Sequence, residues 1–290
     1  MQVYKQILSI VVPYRNGLDD LRRLLGSCAD ERVRVYVVDD NSDADQRAAL
    51  LASQFPSVTF LKNDTQLHNA GCARNIALAW AETEWVFFAD ADDYFVANGI
   101  STLLGQLEKN TANDVIYFPP TSLNERTGQI GRRHEYYASL CQTFAEQQDP
   151  DLFLTFYVPW SKAVRLSLIR SHAIRFDEII ASNDINFSAR VALYSRNPAV
   201  ASSPVYCATE NGTSLTSSIT PIKAVSRLKA LTGYNLLLMQ NKKPARFMLN
   251  GKRYLYRSLP LAISGKGDAI GTILHYLKQL PSFAAYRYMP

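Results

Sequence analysis

The stretch Trp85-Val86-Phe87-Phe88-Ala89-Asp90-Ala91-Asp92-Asp93 decides how this chain is read. Four large apolar residues in a row suit a strand buried on both faces, as in a parallel sheet covered by helices. The acids that follow at once stand where such a strand leaves the core. Carboxylates crowded at the end of an apolar strand repel one another and resist desolvation unless a cation or a set of donors offsets them. A divalent metal is the economical explanation, because hard Mg2+ or Mn2+ takes one or two carboxylates together with phosphate oxygens. The bland alternative is a solvated acidic turn that caps a helix after Val96.

Upstream, strands and helices alternate. Residues 7–12 form an apolar run ended by Pro13, and residues 18–29 place Leu21, Leu24, Leu25 and Cys28 at helical spacing. Residues 33–38 read as a second buried strand, 44–55 as a helix, 58–61 as a short strand and 71–81 as a helix. This alternation predicts an α/β fold: a doubly wound, mostly parallel sheet flanked by helices, with ligands beyond the carboxyl ends of the strands. Farther on, 115–118 reads as a strand, 123–131 as a polar turn region, 153–157 as an apolar piece, 184–195 as a helix and 205–207 as a last strand. A soft boundary near residue 220 divides a main domain (1–220, in halves 1–100 and 101–220) from a helical, basic extension (221–290).

Two further strand ends carry polar clusters, Val11-Val12-Pro13-Tyr14-Arg15-Asn16 and Val37-Val38-Asp39-Asp40-Asn41-Ser42, and Asn69-Ala70-Gly71-Cys72-Ala73-Arg74-Asn75 opens a helix. With the acidic run, and in this order, these elements resemble the family 2 glycosyltransferases of GT-A fold. That family carries a V-P-x-x-N-like element, then V-D-D-x-S, N-x-G-x-x-x-A-R-N and D-x-D-D. The resemblance spans residues 7–93, extends in part over 155–216 and stops before 220. It implies a nucleotide-sugar donor, with a UDP-sugar favoured, and a donor site built from Pro13, Tyr14, Arg15, Asp39, Asp40, Asn69, Gly71, Arg74, Asp90, Ala91 and Asp92. Asp39, with Asp40, would accept the uracil N3–H, and Pro13 and Tyr14 would wall the base pocket. Arg74 would face the diphosphate and Asp90 the ribose or sugar. Asp92 would hold Mn2+ or Mg2+, with Asp90 and Asp93 beside it as ligands or orienting groups.

An inverting transfer needs a base for the acceptor hydroxyl. The family's Glu-Asp element corresponds here to Asn183-Asp184 in Ser182-Asn183-Asp184-Ile185-Asn186-Phe187, which makes Asp184 the expected base; its other reading is a helix N-cap. Pro159-Trp160-Ser161-Lys162 resembles the family's W-x-K segment, with Trp160 flooring an acceptor sugar and Lys162 reaching the donor phosphate. Neither a Q-x-x-R-W segment nor a membrane-length apolar run is present, so addition of a single sugar is expected. The resemblance points to a glycan or lipid-diphosphate-linked acceptor in bacterial surface-polysaccharide assembly.

Charge is unevenly spread. Residues 221–290 hold twelve Lys/Arg and one acid, Asp268, whereas residues 1–220 hold nineteen Lys/Arg against twenty-five acids. Ile270, Ile273, Leu274 and Leu277 follow helical spacing among these cations, which suits an anionic membrane surface. The alternative is a helical extension packed on the catalytic domain or on a second subunit, and an oligomer stays open. No nucleic-acid reader motif accompanies the charge. The four cysteines are widely spaced and no secretory signal is visible, so a cytoplasmic protein is expected, peripheral on the inner membrane face if the tail binds lipid. A nicotinamide oxidoreductase would need G-x-G-x-x-G after the first strand, where Pro13-Tyr14-Arg15-Asn16-Gly17 stands instead. A receiver-type signalling domain is far shorter. A non-catalytic nucleotide-sugar-binding protein would keep most of the amino-terminal motifs but has no use for Asp184.

Overall fold

The computed structural model describes residues 5–46, 58–210, 219–265 and 268–287. In chain order the first half holds β1 (Leu8–Tyr14), α1 (Leu18–Ser27), β2 (Val33–Asp39), β3 (Val58–Lys62), α2 (Ala70–Trp80), β4 (Trp85–Phe88), β5 (Tyr94–Phe95) and α3 (Gly99–Lys109). Next come β6 (Val115–Tyr117), β7 (Thr121–Asn124), β8 (Gln129–Ile130), α4 (Glu135–Gln147), β9 (Lys162–Arg165) and α5 (Leu166–Ser171). The chain continues with α6 (Ile185–Tyr194), β10 (Pro198–Val200), β11 (Tyr206–Glu210), α7 (Pro221–Gln240), α8 (Lys252–Ile263) and α9 (Ala269–Arg287). Of the helix expected over 44–55, a 3-10 turn is seen at Ala44–Gln46; the rest lies outside the described residues.

The main sheet has the order β10-β6-β9-β4-β1-β2-β3. Strands β3, β2, β1 and β4 run parallel, while β9 runs antiparallel to both neighbours, β4 and β6. The alternation along β1 explains the layers. Leu8, Ile10, Val12 and Tyr14 face one core with Leu21, Leu24 and Leu25 of α1, and Val11 faces the other with Ala73 and Ala77 of α2. Val86 and Phe88 of β4 join that second core, and Trp85 and Phe87 join the first.

A second sheet, β5-β11-β7-β8, lies outside the sequence expectation. The polar turn region over 123–131 is in fact a hairpin: β7 pairs antiparallel with β8, and Gly128 takes φ +66° in the connection. Strands as short and polar as Thr121–Asn124 and Gln129–Ile130 carry no apolar alternation from which to be recognised.

The basic extension packs against the catalytic half. Leu228, Leu231, Tyr234 and Leu238 of α7 share a core with Leu154 and with Ala189 of α6, and Ile273, Tyr276 and Phe283 of α9 complete it. The expected apolar stripe on α9 therefore divides: Ile273 is buried, whereas Ile270, Leu274 and Leu277 face outward. Among the described residues no helix is long and apolar enough to cross a membrane.

Candidate active site

Parallel register brings the ends of β1, β2 and β4 to one edge: Tyr14 pairs with Asp39, and Val11 with Phe88. The acidic loop after β4 is then fastened to β11. The Asp90 N–H donates to Tyr206 Oη at 2.8 Å, and the Tyr206 hydroxyl donates to Asp93 Oδ2 at 2.8 Å. The Thr209 N–H donates to Asp93 Oδ1 at 2.8 Å, and Thr209 Oγ1 to the Asp92 carbonyl at 2.8 Å. Asp93 has no exposed surface, and burial together with Asp90 raises its pKa well above the ordinary carboxylate range. With both oxygens supplied with donors, Asp93 fastens the acidic loop to β11.

Asp90, Asp92 and Asp93 offer ligand atoms within 4.8 Å of one another. Asp92 differs from its neighbours, because among the described residues no ion pair and no other residue's hydrogen bond reaches its carboxylate. Burial and the nearby Asp90 raise its pKa, with Arg133 opposing. A pair of close, desolvated carboxylates, one of them without a partner, fits a hard divalent cation. Asp90 and Asp92 are the residues that would hold it.

The helix-opening motif turns out to serve the loop that carries Asp184 more than the donor. Asn69 caps α2 by accepting from the Cys72 N–H at 2.9 Å. A Cβ on Gly71 would stand 2.2 Å from the Asp177 carbonyl oxygen, so glycine here allows α2 to abut the 177–183 loop. The Asn75 side chain accepts from the Phe176 N–H at 2.9 Å and donates to the Phe176 carbonyl at 3.0 Å. Arg74 is 5% exposed; it donates to Asp90 Oδ1 at 2.7 Å and Asn183 Oδ1 at 3.0 Å, and lies over the Phe176 ring. Its guanidinium thus ties the acidic loop to the Asp184 loop. Asn183 suits this junction because an amide can also donate, here to the Ile179 carbonyl at 3.3 Å.

Asp184 occupies the N-cap position of α6 without making a side-chain capping hydrogen bond, so its carboxylate is not used up by the helix. Burial raises its pKa, Arg74 and Lys162 pull it down and Asp90 pushes it up. A carboxylate held above its usual range is a better proton acceptor near neutral pH.

The structure also places the other expected site residues. Trp160 is fully buried, stacked on Tyr206 with Arg133 over its ring, and offers no face to a sugar. Lys162 is also fully buried, with its ammonium bonded to the Phe156 carbonyl and to Ser188 Oγ. Asp40 is 5% exposed and accepts from Asn63 Nδ2 at 2.7 Å, which leaves Asp39 as the accessible acid of that pair. Asp39 accepts from the Ser42 N–H at 2.9 Å. Tyr14 is 1% exposed, its hydroxyl pushed up to about 12 by burial and by Asp39, so Pro13 and Arg15 present the open surface at that strand end. Ala91 is half-buried within the acidic loop.

Sequence reasoning missed Arg133 and Tyr137. Arg133 stands 3.6 Å from Asp90 Oδ2 and donates to the Thr209 carbonyl at 3.2 Å. Tyr137 of α4 packs edge-on to Trp160, and Asp184 contributes to raising its pKa. The run Arg132-Arg133-His134 was a visible basic cluster, but nothing local tied it to an acidic loop forty residues away.

Comparison with known proteins bears on the fold and the family. Of curated proteins, an uncharacterized glycosyltransferase of Haemophilus influenzae is 30% identical over 116 residues, 39% of this chain and 38% of that protein's length. The first 349 residues of S. aureus TarS, in a crystal structure with UDP-GlcNAc, superpose with TM-score 0.69 at 19% identity, covering 97% of this chain and 81% of that one. The mannosyltransferase PcManGT of Pyrobaculum calidifontis, solved with GDP-Man and Mn2+, superposes with TM-score 0.57 at 16% identity, covering 98% and 83%. These two likenesses establish the fold. Residues 9–172, more than half of the sequence, match the family model described as Glycosyl transferase family 2, and the chain belongs to that family.

Proposed function

We propose that the protein is an inverting, metal-dependent glycosyltransferase that adds one sugar from a nucleotide-sugar, with UDP favoured, to a glycan or lipid-diphosphate-linked acceptor of bacterial surface polysaccharide. The observation that carries this reading is the chain Asp92–Asp90–Arg74–Asn183–Asp184. It joins a carboxylate pair suited to a metal to an uncapped carboxylate suited to be a base.

In this reading Asp184 takes the proton of the acceptor hydroxyl as that oxygen bonds to the anomeric carbon from the face opposite the diphosphate. The bond from that carbon to the diphosphate oxygen breaks in the same event, and the configuration inverts. Asp90 and Asp92 would hold Mn2+ or Mg2+, which when bound neutralises charge on the departing diphosphate. Asp39 at the end of β2 receives the base, and Arg74 fixes the distance between the acidic loop and Asp184. The complexes of TarS with UDP-GlcNAc and of PcManGT with GDP-Man and Mn2+ support a nucleotide-sugar donor and a metal.

The outward residues of α8 and α9 support a membrane partner. Ile263 is 86% exposed and Leu274 60%, with Tyr256, Ile270 and Leu277 also open, and Arg253, Arg257 and Lys278 are on the same two helices. Apolar side chains among cations suit the anionic inner leaflet, where a lipid-linked acceptor would be met.

The test is Asp184→Asn. It should keep metal-dependent UDP binding and lose transfer by about 100-fold or more, the scale of general-base contributions. Transfer at the wild-type rate would remove Asp184 as the base.

A further inference from the structure

Lys162 is a buried cation for which the chemistry above has no use. It opens β9 and is 0% exposed, and among the described residues no carboxylate lies within ion-pairing distance of its ammonium. It donates to the Phe156 carbonyl at 3.0 Å and to Ser188 Oγ at 2.9 Å, with the rings of Phe156 and Tyr117 at 5.0 and 5.8 Å. A buried ammonium without a countercharge is costly, and an apolar side chain of similar volume fills such a place at no loss of stability. Packing alone therefore gives no reason for a lysine.

The position of Ser188 supplies one. Ser188 lies four residues after Asp184, so the two stand on one face of the first turns of α6, and the Ser188 N–H donates to the Asp184 carbonyl at 2.9 Å. The Ser188 hydroxyl donates to the Tyr157 carbonyl at 2.8 Å, which leaves it to accept from Lys162. Lys162 thus reaches α6 on the turn that presents Asp184. The charged and titratable groups that face Asp184 come from four elements: Arg74 of α2, Asp90 after β4, Lys162 of β9 and Tyr137 of α4. Arg74 is shared with Asp90 and Asn183. Burial lowers the Lys162 pKa to about 7, and Asp184 is the charge that pulls it back up.

We propose that Lys162 is a positioning residue for Asp184: from the buried side of α6 its ammonium holds the first turn and keeps the neighbouring carboxylate ionised for proton removal. The inference rests on the reading of Asp184 as the base, but its test does not require transfer. The probe is the 13C-carboxyl resonance of Asp184, assigned by its loss in Asp184→Asn and followed against pH. In Lys162→Met its midpoint should rise by about one unit, the low end of what a neighbouring opposite charge contributes. Affinity for UDP with Mn2+ should stay at the wild-type value. Ser188→Ala, which removes one acceptor from the ammonium, should move the midpoint the same way by less, and it carries the test if Lys162→Met does not fold. An unmoved midpoint in the folded variants would overturn the proposal, as would loss of UDP affinity, which would return Lys162 to the donor phosphate. Full transfer by Asp184→Asn would remove the purpose of Lys162, a result the titration tells apart from absent coupling.

Discussion

At Asp93 the fold and the chemistry meet in one side chain. Removing it strands the Tyr206 hydroxyl and the Thr209 N–H inside the protein, each unsatisfied group costing about 1–3 kcal/mol. Asp93→Ala should therefore destabilise the protein by about 3 kcal/mol in denaturant unfolding, with the acidic loop loosened as a consequence. Asp92→Ala, by contrast, deletes a carboxylate that among the described residues bonds no other; unfolding should change little while UDP binding weakens. A clear loss of stability in Asp92→Ala, with UDP binding intact, would mean the two acids had been assigned the wrong way round. The pH dependence follows from Asp184. Its pKa is raised by burial, so kcat/KM should fall on the acid side at a pH above the ordinary aspartate value. In Arg74→Ala that acid limb should move higher still, because a cation favouring the ionised form is gone.

Among elements, α2 has the widest reach. Its first two turns place Gly71, Arg74 and Asn75 against the loop before α6, so α2 sets where Asp184 stands. Gly71→Ala forces a Cβ onto the Asp177 carbonyl and should cost about 1–3 kcal/mol. Its kinetic signature should be a fall in kcat with UDP affinity retained, read by steady-state assay beside calorimetry. Equal losses in both would put Gly71 at the donor. At this scale the limits of sequence reading become physical. β1, β2 and β4 were legible because strands buried on both faces leave continuous apolar runs, and α1 because its leucines fall at helical spacing. Of the second sheet only β11, near the strand expected over 205–207, was legible, since β5 and β8 are two residues long and β7 is polar. The partners of Arg74 and Asp93 lie 109 and 116 residues away, at Asn183 and Thr209, and Trp160 stacks on Tyr206, well over a helix length beyond it. Spacing along the chain carries no record of such pairings.

For the whole molecule, the uneven charge acquires a structure. The basic helices α7 to α9 are joined to the catalytic half by a common core, so the tail is a fixed surface that can hold the acidic site at a defined distance from whatever α8 and α9 touch. Sedimentation with vesicles containing phosphatidylglycerol should remove the protein from solution at low salt and release it as salt rises. Leu274→Glu, on the exposed face, should weaken that binding without unfolding the protein. Absence of binding at low salt would leave the exposed face to a second copy of the chain or to no partner at all.

All of these readings depend on the acidic loop after Phe88 binding a divalent cation together with a diphosphate. Calorimetric titration of UDP into the protein with Mn2+ present, and again after chelation, measures this directly. The account predicts binding with Mn2+, loss of most affinity without it, and no such metal dependence in Asp92→Ala. Equal UDP affinity in both conditions for the wild-type protein would contradict it.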